Sequence, residues 1–71
     1  MSKQHDPTLA LRVAILAGGS SAEAQVSRNS AAQIEQALVD SGHKTQVIEL
    51  DDRCVQALLT MQPDVVFPAL H

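Results

Sequence analysis

From Leu11 to Ala17 the chain is apolar without alternation, interrupted only by Arg12, and it runs straight into Gly18-Gly19. A strand with one wet face alternates polar and apolar residues. An unalternating run that includes β-branched Val13 and Ile15 belongs instead to a strand covered on both faces, as in a parallel sheet with helices on either side. The rest of the sequence has to supply those covering helices.

Two segments qualify. Ser20 followed three residues later by Glu23 has capping-box spacing for a helix start, with Ser27 as a rival cap. Beyond either start, Val26, Ala31, Ile34, Ala37 and Leu38 recur at mostly three- and four-residue steps, with Arg28, Gln33, Glu35, Gln36 and Asp40 around them. Gly42 stands where this stripe ends and can take the left-handed conformation that closes a helix. Thr45 to Leu50, with Val47 and Ile48, reads as a second strand. Asp51 or Asp52 can cap a short second helix with the stripe Val55, Leu58 and Leu59, which Pro63 stops. Val65, Val66 and Phe67 then form a third strand, and Pro68 marks its end or an unpaired edge.

The order βαβαβ implies parallel strands joined by right-handed crossovers, an α/β open sheet. The apolar third strand has no helix after it, so the unit reads as truncated there, with residues 1–10 a disordered leader and residues 11–71 one incomplete domain. A domain of 71 residues buries only about 60% of the surface its unfolded chain exposes. Small domains often add disulfides or a metal, but Cys54 is the single cysteine and the three histidines are scattered. Cys54 falls among apolar helix positions, which predicts a packed, inert thiol in a reducing compartment.

The charge balance narrows the partners. Five Lys and Arg against eight Asp and Glu form no basic cluster, so nucleic acid is not an expected partner. No apolar run approaches the roughly 20 residues of a membrane helix, and Asp6 and Arg12 spoil a signal-peptide pattern.

Chemistry in open parallel sheets gathers beyond the carboxyl ends of the strands. Gly18 to Ser27 follows the first strand and His71 follows the third. With strand order 2-1-3, Glu23 and His71 face one crevice. Gly18-Gly19 invites a phosphate-loop reading, but neither G-x-G-x-x-G nor a Walker A motif is present, and a tight turn explains the glycines as well. Glu23 is either a first-turn acid favoured by the helix dipole or a carboxylate that accepts a substrate ammonium. His71 is either a structural terminal residue or a site residue. His5 and His43 have no metal spacing, and Ser20, Ser21 and Ser27 do not lie in G-x-S-x-G.

The run from Val13 to Ser27, with Gly18-Gly19-Ser20-Ser21-Ala22-Glu23 at its centre, resembles the first strand and loop of D-alanine:D-alanine ligases. Asp64-Val65-Val66-Phe67-Pro68-Ala69-Leu70-His71 resembles the same family's third strand and the start of its Leu-His-Gly segment. The resemblance spans Arg12 to His71 and implies the Rossmann-like N-terminal domain of an ATP-grasp ligase. Such enzymes join two D-alanines with ATP and magnesium for peptidoglycan in the bacterial cytoplasm, and are homodimers. By resemblance Glu23 holds the first D-alanine's ammonium and counts as a catalytic residue, Val26 lines the pocket for its methyl group, and His71 lies beside the same substrate. Gln25 departs from the family's second glutamate. The family's ATP- and magnesium-binding residues have no counterpart in these 71 residues, so the segment alone is expected to be inactive and to hold neither. Two other readings remain: the first domain of a different ATP-grasp ligase, and a stand-alone binding module.

Overall fold

The computed structural model describes residues 10–20 and 22–69. Its elements are β1 (Arg12–Ala17), α1 (Ala24–Asp40), β2 (Lys44–Glu49), α2 (Cys54–Met61) and β3 (Val65–Pro68), which form one three-stranded parallel sheet in the order β2-β1-β3. The apolar run is the central strand. Val13, Ala14, Ile15 and Ala17 are all buried, as a strand covered on both faces must be.

Each helix covers one face. Val13, Ile15 and Ala17 point to Ala31, Ile34 and Leu38 of α1, whereas Ala14 and Leu16 share the other side with Ile48, Cys54, Ala57, Leu58 and Met61. The period-2 alternation of β1 thus divides its side chains between two thin cores. The first crossover moves from β1 to β2 and the second passes back over β1 to β3, so right-handed connections put the helices on opposite faces. The carboxyl ends of β1 and β3 flank the point where the winding reverses.

Several expectations hold. The expected α/β parallel unit is present, β1 and β3 match to within a residue, and β2 begins one residue early, at Lys44. Gly42 closes α1 at φ +91°. There His43 N–H donates to Leu38 O at 3.0 Å and Gly42 N–H to Val39 O at 2.9 Å, the paired bonds of a Schellman end. The expected aspartate cap does not form: Arg53 holds the cap position of α2 with no side-chain cap bond, and Asp51 Oδ1 accepts Arg53 N–H at 2.8 Å in the turn before it. Gln62 ends α2 in the left-handed region at φ 51°, and Pro63 prevents continuation.

Two helix readings need correction. The inward ridge of α1 is Ala24, Ser27, Ala31, Ile34 and Leu38, while Val26 is 46% exposed and Ala37 lies outside. A small polar residue takes the innermost position of the first turns, and hydrophobicity alone points to its bulkier neighbour. In α2, Val55 and Leu59 are 62% and 67% exposed, and the packed set is Cys54, Ala57, Leu58 and Met61. That set has the i, i+3, i+4, i+7 spacing of one face, so Cys54 is a half-buried core contact.

The opposite end of the sheet is tied by Asp64. Its Oδ2 accepts Arg12 N–H at 2.8 Å and its own N–H donates to Arg12 O at 2.8 Å, while the Arg12 guanidinium reaches Met61 O. β3 is short and exposed along its length, with Pro68 opposite Leu16. Pro68 lacks the N–H a central strand would need, which suits an edge position.

Candidate functional site

The turn after β1 is built from glycines because its backbone must take positive φ. Gly18 is at φ +85° and Gly19 at φ +103°. An L side chain is strained in that region, and at Gly18 a Cβ would also stand 2.0 Å from Glu49 Oε2. At Gly19 the nearest atom would be 3.8 Å away, so only the dihedral calls for glycine there.

These two glycines lead the chain over the carboxyl edge of the sheet, and α1 starts only at Ala24. Neither expected cap forms. Glu23 occupies the backbone cap position at φ −88°, ψ 1°, without a side-chain cap bond, so Ser20 and Glu23 make no capping box. Ser27 lies inside the first turns of α1, where its N–H donates to Glu23 O at 3.0 Å.

The Ser27 hydroxyl does something else. It is 2% exposed, accepts Gly18 N–H at 2.9 Å and donates to Ala69 O. One buried oxygen therefore joins the turn after β1, helix α1 and the residue after β3, across the reversal of winding. Both hydrogen-bonding roles of the hydroxyl are used, as burial requires. Ala69 N–H in turn donates to Leu16 O at 2.8 Å.

On the β2 side, Glu49 grips the same turn. Its Oε2 accepts Gly19 N–H at 3.0 Å, and Arg28 forms a two-pronged pair with it, Nε to Oε1 at 3.1 Å and Nη2 to Oε2 at 2.9 Å. The hydrogen bond from Arg28, then that from Gly19, hold the Glu49 carboxyl below its ordinary value. The same bond and the charge of Glu49 raise the Arg28 guanidinium. Glu49 sits opposite Ala17 in the parallel register, which is why a residue so distant in sequence meets the turn.

Of the expected site residues, Glu23 is exposed at the start of α1, directly after the glycine turn, and Val26 is nearly half exposed on the first turn of the helix. His71 lies outside the described residues, so the expected meeting of Glu23 and His71 lies outside them too; what the structure brings together at this edge is Gly18, Ser27 and Ala69. Sequence reading missed Ser27 as a bridge and Glu49 altogether. A shallow depression between β2 and the start of α2, lined by Gln46, Ile48, Asp51, Arg53 and Ala57 among others, is on the far side of β2 from β3. It does not coincide with the reversal point, and topology rather than concavity locates the candidate site.

The turn does not fit a phosphate. Gly18 N–H is taken by Ser27 and Gly19 N–H by Glu49, whose carboxylate would repel an anion. Among the described residues no group of three or more His, Cys, Asp and Glu could hold a metal ion, and no helix is long and apolar enough to cross a membrane. His43 Nδ1 accepts Leu11 N–H at 3.1 Å, a structural contact.

Fold and turn together define the class: a parallel α/β unit, consistent with part of a Rossmann-like fold, in which the reversal of winding falls at the carboxyl ends of β1 and β3, where open parallel sheets as a class take their ligands. No protein-family model matches the chain. Individual proteins do. The chain is 43% identical over 61 residues to a D-alanine--D-alanine ligase of Anaplasma centrale, covering 86% of this chain and 30% of that protein. The ligase of the same name from Sphingopyxis alaskensis is 46% identical over 59 residues, 83% of this chain and 19% of that protein. For the Aquifex aeolicus ligase the identity is 38% over 61 residues, 86% of this chain and 21% of that protein. By sequence the chain is a homologue of part of the D-alanine:D-alanine ligases, and it spans less than a third of the length of these relatives.

Proposed function

We propose that the complete protein joins two D-alanines at the expense of ATP, for peptidoglycan synthesis in the cytoplasm, and that this segment supplies part of the first D-alanine's site. Residues 11–71 are then the opening part of the N-terminal domain of an ATP-grasp ligase. One observation carries the reading: in a chain 38–46% identical to these ligases, Glu23 follows a glycine turn at the carboxyl edge of β1, beside the reversal between β1 and β3.

The chemistry asked of this segment is recognition. Glu23 would accept a charge-assisted hydrogen bond from the substrate ammonium, an interaction about twice as strong as a neutral one. Val26 would offer its exposed side chain to the substrate methyl group, and His71 would lie beside the same substrate. Gln25, exposed, donates from Nε2 to Asn29 Oδ1 at 3.1 Å, so its amide has a partner on its own helix and leaves Glu23 as the acidic residue of that turn.

The Gly18 and Gly19 amides are already engaged, so this turn offers no cradle to the phosphates of ATP. ATP and magnesium belong to other parts of the complete ligase, which by its family is a homodimer. The segment alone is inactive on this reading.

The test is ADP formation by the complete protein with ATP and a panel of amino acids. Turnover dependent on D-alanine, with D-alanyl-D-alanine as product, is the expected result. Turnover dependent on another amine and indifferent to D-alanine would assign the chain to a different ligase. A stop codon directly after His71 would remove the activity altogether.

A further inference from the structure

Glu49 belongs to β2, yet it meets the β1–α1 turn from below. Its carboxylate takes the Gly19 amide at 3.0 Å and both prongs of the Arg28 guanidinium, and it fills the space where a Gly18 Cβ would stand. The turn thus lies between two anchors, Glu49 on the β2 side and the buried Ser27 hydroxyl on the β3 side.

The Arg28 and Glu49 side chains are 44% and 41% exposed. An ion pair that wet adds little to stability. Its effect is geometric. Three N–H donors, one from the turn and two from the first turns of α1, converge on one carboxylate, which ties Gly19 to Arg28 and so holds the turn against the helix that Glu23 starts. Glycines reach both signs of φ, so without this anchor the turn has a wide choice of conformations.

We propose that Glu49, oriented by Arg28, is a positioning residue that presents Glu23 to the substrate ammonium. The proposal rests on the reading of Glu23 given above. Loss of Glu49 leaves the chemistry of Glu23 intact but spreads its carboxylate over several positions, so the first D-alanine binds less well. A displacement of about 1 Å is enough to cost up to about a hundredfold when a charged contact must be met.

Steady-state kinetics of the complete ligase decide it. Glu49→Ala is expected to raise KM for the first D-alanine roughly tenfold, with KM for ATP unmoved. Glu49→Gln keeps an oxygen for the Gly19 amide and raises it less. A purely structural role would lower Tm and the active fraction while leaving KM for D-alanine alone, and that result in folded Glu49→Ala overturns the proposal. Should Glu49→Ala fail to fold, Arg28→Ala decides in the same way, since it removes the partner that orients the carboxylate and leaves Glu49 itself in place. Glu23→Gln, measured in parallel, separates the two ideas. If it raises KM while Glu49→Ala does not, positioning fails and the ammonium reading stands. If Glu23→Gln leaves KM untouched, the ammonium reading fails first.

Discussion

The Ser27 hydroxyl accepts the Gly18 N–H at 2.9 Å while donating to Ala69 O, so the turn after β1 and the end of β3 are joined through one side chain of α1. Serine is small enough to sit between a helix and a strand and still satisfy two backbone groups. The two lips of the candidate site are therefore linked by a buried polar contact, where an apolar residue would leave both groups unpaired.

Ser27→Ala follows from that contact. It leaves the Gly18 N–H and the Ala69 carbonyl buried without a partner, at a cost of about 1–3 kcal/mol. Chemical denaturation of the complete protein should show the transition midpoint falling accordingly. An unchanged midpoint would mean that water replaces the hydroxyl.

Gly18→Ala and Gly19→Ala should differ. Both place an alanine at positive φ, costing about 1–2 kcal/mol. Gly18→Ala also displaces the Glu49 carboxylate and with it the Gly19 and Arg28 contacts. It is expected to be the more destabilising, and combining it with Glu49→Ala should cost less than the two separate losses added together. Additive losses would show that the carboxylate is not the obstacle.

Acid should loosen the turn through Glu49. Its folded-state pKa is depressed, so its contribution is present above the ordinary carboxylate range and is lost as pH falls through the depressed value. Melting curves of wild type and Glu49→Gln should differ at neutral pH and converge on acidification below that range. Curves equally separated at every pH would contradict this.

The two cores are thin, and Val65, Val66 and Phe67 are each more than 40% exposed on the β3 edge. The isolated 71-residue chain is therefore expected to melt broadly and to bind a hydrophobic dye. A sharp, cooperative transition would favour the stand-alone module instead.

Much of this architecture is readable from residue patterns. The unalternating run from Leu11 to Ala17, the glycines at 18, 19 and 42, and Pro63 mark β1 and the ends of the elements because each acts locally. The phase of α2 is not readable that way, since Val55 and Leu59 are as apolar as the residues that pack, and the sheet decides which face turns inward. Ser27 looks like a cap because serine near a helix start usually is one. Glu49 is invisible in sequence: it reaches the turn only through the parallel pairing of Ala17 with Glu49, a contact between residues 32 positions apart.

A crystal structure of the complete protein with D-alanine bound would probe the centre of this account. The Glu23 carboxylate should stand within hydrogen-bonding reach of the substrate ammonium, about 2.7–3.2 Å. D-alanine seated with its ammonium on another acid, and Glu23 facing bulk solvent, would contradict it.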